Sequence, residues 1–262
     1  MDQAGLERRI IPMKKTVLGV IPARFASTRF PGKPLAKIQG KEMILWVVDG
    51  AKQSKSLTEL VVATDDQRIF EVVTRAGTRA VMTSPDLPTG TDRIYQALTQ
   101  MSGHYDAVVN IQGDEPLVRG ELIDKLVEPL IVDADIQMST LAQPLIDLDL
   151  ESLNSVKVVT NKKSEALYFS RFAIPFSRVK PESLSSLGCS YKHLGMYAYK
   201  TSFLREFCMT PPVELEVFES LEQLRALALG ARIKVVLVSE KTWGVDTPED
   251  LEKIEELLRT SQ

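Results

Sequence analysis

Residues 20–35 read VIPARFASTRFPGKPL. An apolar run ends at Pro22, and one loop then carries Arg24, Ser27, Thr28, Arg29, Gly32 and Lys33. Guanidinium forks match phosphate oxygens and an ammonium adds a point charge, so the loop suits a compact polyanion. A second candidate is VVNIQGDEP at 108–116, where an apolar run ends with Asp114 and Glu115 at its tip. Carboxylates in that position can hold a hard divalent cation beside phosphates. Gln112 lies two residues before Asp114, so strand alternation puts both on one face. A third acidic stretch is GVDTPEDL at 244–251, where Asp246-Thr-Pro-Glu reads by itself as a helix N-cap followed by Pro at the first helical position.

These residues need elements to position them. TVLGVI (16–21), ELVVAT (59–64), RAVM (79–82) and AVVNI (107–111) are short β-branched runs that read as buried strands. Between them, EMILWVVDGAKQS and DQRIFEVVTRAG place apolar residues at helical spacing. This β-α-β-α order predicts an α/β fold with a mostly parallel central sheet and helices on both faces. The first βα loop of such a sheet is the usual phosphate site, and the helix after it is expected near Glu42. The loop matches neither GxxxxGK[ST] nor GxGxxG, because Pro34 follows its Gly-Lys pair. After about residue 135 the pattern turns to strand-like pieces, then one long helix over ELEVFESLEQLRALALG, a strand RIKVVLVS and a last helix. The chain thus reads as an extension at 1–14 and a single domain at 15–262, with a mixed α+β insertion at about 136–205.

Composition narrows the partners. The chain has 262 residues, 44% hydrophobic and 26% charged, with a net charge of −3. A mildly acidic chain with one local group of cations favours a small anionic ligand over nucleic acid or an anionic membrane. Two cysteines without CxxC spacing and two histidines argue against a zinc site or a disulfide framework. With no signal-peptide pattern and no long apolar run, the expectation is a soluble, cytoplasmic protein.

The opening loop, IPAR-x-x-S-T-R-x-PGKPL, resembles the signature of the sugar-activating cytidylyltransferases, in particular the 3-deoxy-manno-octulosonate (Kdo) cytidylyltransferase family. VVATDD (61–66), VMTSPDLPTGTDR (81–93), VVNIQGDEP (108–116), VKVV (156–159), ALYFSRFAIP (166–175), HLGMYAY (193–199), LEQLR (221–225) and GVDTPEDL (244–251) follow in the family's order. The resemblance covers nearly the whole chain from Val17. It implies a nucleotide-diphospho-sugar-transferase-like fold, a homodimer built on the insertion, and transfer of CMP from CTP to Kdo for lipopolysaccharide synthesis. Sialic acid and 8-amino-Kdo are the alternative acceptors.

The resemblance also implies the site. Arg24, Lys33, Asp114 and Asp246 would be catalytic, and Asp114 with Asp246 would hold Mg²⁺ at the α-phosphate. Ala23, Arg24, Ser27, Thr28, Arg29, Lys33, Thr83, Ser84, Arg93 and Gln112 would bind the nucleotide. Gln112, Arg171, His193, Tyr197, Glu222 and Gln223 would bind the sugar, with Arg171 on its carboxylate. Spacing alone would make His193 a structural residue and Glu222 and Gln223 a solvated helix face. Three departures from the family pattern stand out: Asp92 for Glu, Phe25 for Tyr, and PVELE (212–216) for SPLE.

Overall fold

The computed structural model describes residues 15–26, 30–176, 178, 188–240 and 242–260. In chain order the elements are β1 (Val17–Ala23), β2 (Lys37–Ile38), β3 (Lys41–Glu42), α1 (Met43–Ala51), β4 (Glu59–Thr64), α2 (Gln67–Arg75), β5 (Arg79–Met82) and α3 (Gly90–Thr99). There follow β6 (Ala107–Asn110), α4 (Gly120–Val132), β7 (Met138–Pro144), α5 (Asp147–Glu151), β8 (Lys157–Thr160), β9 (Ala166–Ser170) and β10 (Ser190–Lys200). The chain ends with α6 (Thr201–Met209), α7 (Glu214–Glu219), α8 (Gln223–Ala228), β11 (Ile233–Leu237) and α9 (Pro248–Thr260).

Among the described residues, the main sheet runs β11-β7-β10-β6-β1-β4-β5, with β8 attached to β10 and β9 to β8. The pairs β1–β4, β1–β6, β4–β5 and β7–β11 are parallel, whereas β10 runs antiparallel to β6, β7 and β8. Apolar faces of α1, α2 and α4 pack on one side through Val47, Ile69 and Leu126. On the other side α3, α6 and α8 pack through Ile94, Phe207 and Leu224. Each such fully buried aliphatic side chain contributes about 1.5–3 kcal/mol relative to exposure. Strand order reverses between β1 and β6, which opens a crevice at their carboxyl ends.

Within segment 136–205, β7 and β10 are inner strands of the sheet, and β8 and β9 extend it off the main path. One expectation needs correction. The single long helix after Pro212 is instead α7 and α8, broken at Ser220, which adopts the left-handed region at φ 53°. A straight helix would hold Glu216 and Arg225 about 13 Å apart along its axis. The break brings Arg225 Nε to 2.8 Å from Glu216 Oε2, in a buried ion pair whose guanidinium also stacks 4.5 Å from the Phe207 ring centroid.

Candidate active site

At the carboxyl end of β1, Gly32 takes φ 73° and its amide bonds the Phe25 carbonyl at 2.9 Å, folding the basic loop back on itself. Arg24 donates to the Leu87 carbonyl at 2.7 Å, so it reaches the loop between β5 and α3. Ala23 is buried at the end of β1. Ser27, Thr28 and Arg29 lie outside the described residues.

Lys33 joins the two distant acidic stretches. Its Nζ donates to Asp114 Oδ2 at 2.8 Å and to the Val245 carbonyl at 2.6 Å, and it lies 3.6 Å from Asp246 Oδ1. The Val245 amide in turn bonds the Asp114 carbonyl at 2.9 Å, which clamps the two turns together. Asp246 does not cap α9: Pro248 is the first helical residue, and Thr247 exchanges hydrogen bonds with Asp250. The carboxylate of Asp246 therefore faces the Asp114 turn instead of its own helix. Behind Asp114, Gly113 lies so close to β1 that a Cβ there would stand 2.5 Å from the Pro22 carbonyl oxygen. Burial, with the Asp114 charge adding, pushes the Glu115 carboxyl up to about 7.

Two carboxylates converging on one ammonium define a point where a cation is favoured. Among the described residues no cluster of three or more His, Cys, Asp or Glu could hold a metal. The pair fits a hard ion that takes few protein ligands and completes its shell with phosphate oxygens and water, as Mg²⁺ does.

Arg93 is placed differently from the sequence expectation. It is fully buried, with Nη2 2.8 Å from Asp65 Oδ2 and Nη1 donating to the Thr83 hydroxyl. It therefore braces Thr83 from within and presents no surface of its own. The Ser84 amide donates to Gln96 Oε1 at 2.7 Å. Helix α3 starts with Thr89 as cap: its hydroxyl accepts from the Asp92 amide at 3.1 Å and bonds Asp92 Oδ2 at 2.8 Å. The shorter Asp92 thus still meets the capping hydroxyl of Thr89.

Beside the carboxylate pair opens a cavity of about 580 Å³, lined by Gln112, Arg171, His193, Tyr197, Glu222 and Gln223 together. Pro22 and Gly90 form its edge toward the basic loop and α3. The Gln112 amide donates to the Gly195 carbonyl. A bulge in β10 between Leu194 and Tyr197 brings the His193 and Tyr197 rings to 5.4 Å. His193 Nε2 lies 3.0 Å from the Thr140 hydroxyl, and burial lowers the imidazole to about 3, so it is neutral. Arg171 donates from Nε, Nη1 and Nη2 to the carbonyls of Glu219, Leu153 and Ser220 at 2.8, 3.1 and 3.2 Å. Burial pushes the Glu222 carboxyl up.

Sequence reasoning missed several lining residues. Asn110, Lys192, Asn154 and Ser155 also face this cavity. Asn110 sits two residues before Gln112, so the alternation already used for Gln112 and Asp114 was the available signal. Asn110 Oδ1, Glu222 Oε2 and Gln223 Nε2 are buried without a hydrogen-bond partner. Buried polar atoms are nearly always satisfied, so three orphans on one cavity call for a polar ligand with several hydroxyls.

Comparison with known proteins agrees with this geometry. The cytidylyltransferase family model matches residues 18–233. The 3-deoxy-manno-octulosonate cytidylyltransferase of Bdellovibrio bacteriovorus is 54% identical over 92% of this chain and 97% of its own. That of Geobacter sulfurreducens is 47% identical over 93% and 99%. A solved structure of CMP:2-keto-3-deoxy-manno-octonic acid synthetase complexed with CTP superposes with a TM-score of 0.88, at 37% identity, covering 95% of this chain and 100% of that one. With motif order, fold and converging site in agreement, the chain belongs to the 3-deoxy-manno-octulosonate cytidylyltransferase family.

Proposed function

We propose that this chain transfers CMP from CTP to Kdo, giving CMP-Kdo and pyrophosphate for lipopolysaccharide biosynthesis. The observation that carries this reading is the pairing of a two-carboxylate cation point with an adjoining polar cavity that holds three unpartnered polar atoms. Nucleotidyl transfer needs such a pairing: one place to neutralise phosphate, and one to orient a polyhydroxyl acceptor against it.

Arg24 and Lys33, with Ser27, Thr28 and Arg29 of the same loop, hold the β- and γ-phosphates and stabilise the departing pyrophosphate. Ala23, Thr83, Ser84 and Gln112 flank the nucleotide, and Arg93 fixes Thr83. Asp114 and Asp246 hold Mg²⁺, which when bound neutralises charge at the α-phosphate and lowers the pKa of a nearby hydroxyl. The anomeric oxygen of the sugar forms the new bond to the α-phosphorus as the bond to the β-phosphate oxygen breaks. Arg171 takes the sugar carboxylate, while Gln112, His193, Tyr197, Glu222 and Gln223 order its hydroxyls. His193 is neutral and tied to Thr140, so it orients the acceptor and does not remove its proton.

The working form is a homodimer. Phe172, Phe176 and Phe218 are 71%, 87% and 85% exposed, and two of them flank the Arg171–Glu219 contact. Large exposed aromatics of this kind mark an interaction surface, here for a second copy. No helix among the described residues is long and apolar enough to cross a membrane, and we place the enzyme in the cytoplasm.

The test is pyrophosphate release from CTP and Mg²⁺ with Kdo, 8-amino-Kdo or sialic acid as acceptor, with Asp114→Ala alongside. Release with Kdo that is lost in the variant is expected. Release only with another acid sugar moves the substrate, and silence with all three overturns the reading.

A further inference from the structure

Lys157 opens the otherwise largely apolar strand β8, and it is fully buried. Among the described residues its ammonium meets no carboxylate at bonding distance. It donates to three backbone carbonyls, of Ser152 at 2.9 Å, Ser155 at 2.8 Å and Arg171 at 2.5 Å. These carbonyls belong to two separate segments: the loop after α5, and the residue that follows β9. Both segments wall the sugar cavity, through Asn154 and Ser155 on one side and Arg171 on the other. Between the two loop carbonyls that Lys157 holds lies that of Leu153, which accepts from Arg171 Nη1.

We infer that Lys157 is a positioning residue for the acid sugar, setting the guanidinium of Arg171 by fixing both its own backbone and the loop that anchors its fork. An apolar residue in the same space would leave these three carbonyls without their donor, so the buried charge is kept where it ties the loop after α5 to the backbone of Arg171. The same loop is braced from the other side: Asp149 accepts from the Ser155 hydroxyl at 2.9 Å and pairs with Lys192, a cavity-lining cation, at 2.7 Å. The cavity lining thus carries two cations, Arg171 and Lys192, together with Asn110 and Glu222. An acid sugar places its carboxylate against Arg171, on the side that Lys157 assembles. This assignment rests on the reading of the cavity as the acid-sugar site.

The experiment compares wild type with Lys157→Met and the milder Lys157→Gln, which keeps a donor, measuring KM for Kdo, KM for CTP, kcat and thermal midpoint. Loss of the charge-assisted bonds is expected to raise KM for Kdo about tenfold or more while KM for CTP stays within about twofold. Lys157→Gln gives a smaller rise of the same pattern, and Lys157→Met with Arg171→Met is no worse than Arg171→Met alone. If Lys157→Gln lowers the thermal midpoint but moves neither KM, or moves both together, Lys157 is a brace for the fold and the inference is wrong. A wild-type protein that turns over no acid sugar overturns the cavity reading and this one together. Normal wild-type turnover with an unmoved KM for Kdo overturns this one alone.

Discussion

Lys33 Nζ lies 2.8 Å from Asp114 Oδ2, an ion pair that ties the loop after the first strand to the turn after the neighbouring strand β6. The lysine is mostly shielded, with its side chain 14% exposed, while Asp114 is 35% exposed and Asp246 51%. Of the three charged groups the ammonium is the most shielded.

Asp114→Ala and Asp246→Ala should each lower the rate of CMP transfer by about 10²–10³, the scale seen when one electrostatic contact to a developing charge is removed. Single-turnover measurement with CTP and Mg²⁺ checks this. Comparable rates in wild type and either variant would remove that carboxylate from the site.

Arg93→Met should cost stability before it costs activity. It leaves the Asp65 carboxylate without its partner, a loss of about 3–5 kcal/mol for a broken buried pair. For a chain of this size that lowers the thermal midpoint by roughly 6–20 °C. Calorimetry with CTP absent is the measurement, and an unchanged midpoint would mean that the guanidinium is free to serve substrate instead.

His193 sets a pH dependence of known sign. Burial lowers its folded pKa to about 3 from the ordinary imidazole value of 6.5, so unfolding takes up a proton between those two values. The stability from keeping it neutral is complete above about pH 6.5 and is lost as pH falls toward 3, at about 1.4 kcal/mol per pH unit. The fall in thermal midpoint from pH 7 to pH 5 should therefore be smaller in His193→Gln than in wild type. Equal falls would mean the imidazole titrates normally.

Ser220→Gly should hold or raise the thermal midpoint, since a left-handed residue other than glycine costs about 1–2 kcal/mol. Ser220→Val should lower it. If the chain ran as one helix through this point, glycine would instead destabilise by about 1 kcal/mol. Thermal denaturation of both variants separates the two cases.

The parallel half of the fold was legible because β1, β4, β5 and β6 are apolar runs bounded by turn residues, whereas strand alternation does not reach Gln112 and Asp114, which follow the end of β6 at Asn110. The break at Ser220 was not, because nothing local favours it. It follows from the buried meeting of Glu216 with Arg225, a tertiary event invisible to periodicity. Asp246 misled because an Asp before Thr-Pro reads as a cap, whereas Pro248 at the first helical position puts the cap at Thr247, which the bond from the Asp250 amide bears out. Lys157 left a signal that went unread, a charged residue within the apolar run VKVV. The six residues assigned to the sugar by resemblance line one cavity, yet Asn110, Asn154 and Lys192, which share it, were not among them.

Strand β10 crosses the whole arrangement. Its last residues pair with β6, beside the phosphate crevice, and its first residues pair with β8, beside Lys157. The nucleotide end therefore rests on right-handed βα units that tolerate little change, as the crowding of Gly113 under Pro22 illustrates. The acceptor end is built on an antiparallel excursion, which β10 joins to the sheet and which β11 and α7 also hold through Glu165 and Arg171. Selection can reshape β8, β9 and the loops between them, and with them the choice of acid sugar, without disturbing the machinery that breaks the triphosphate.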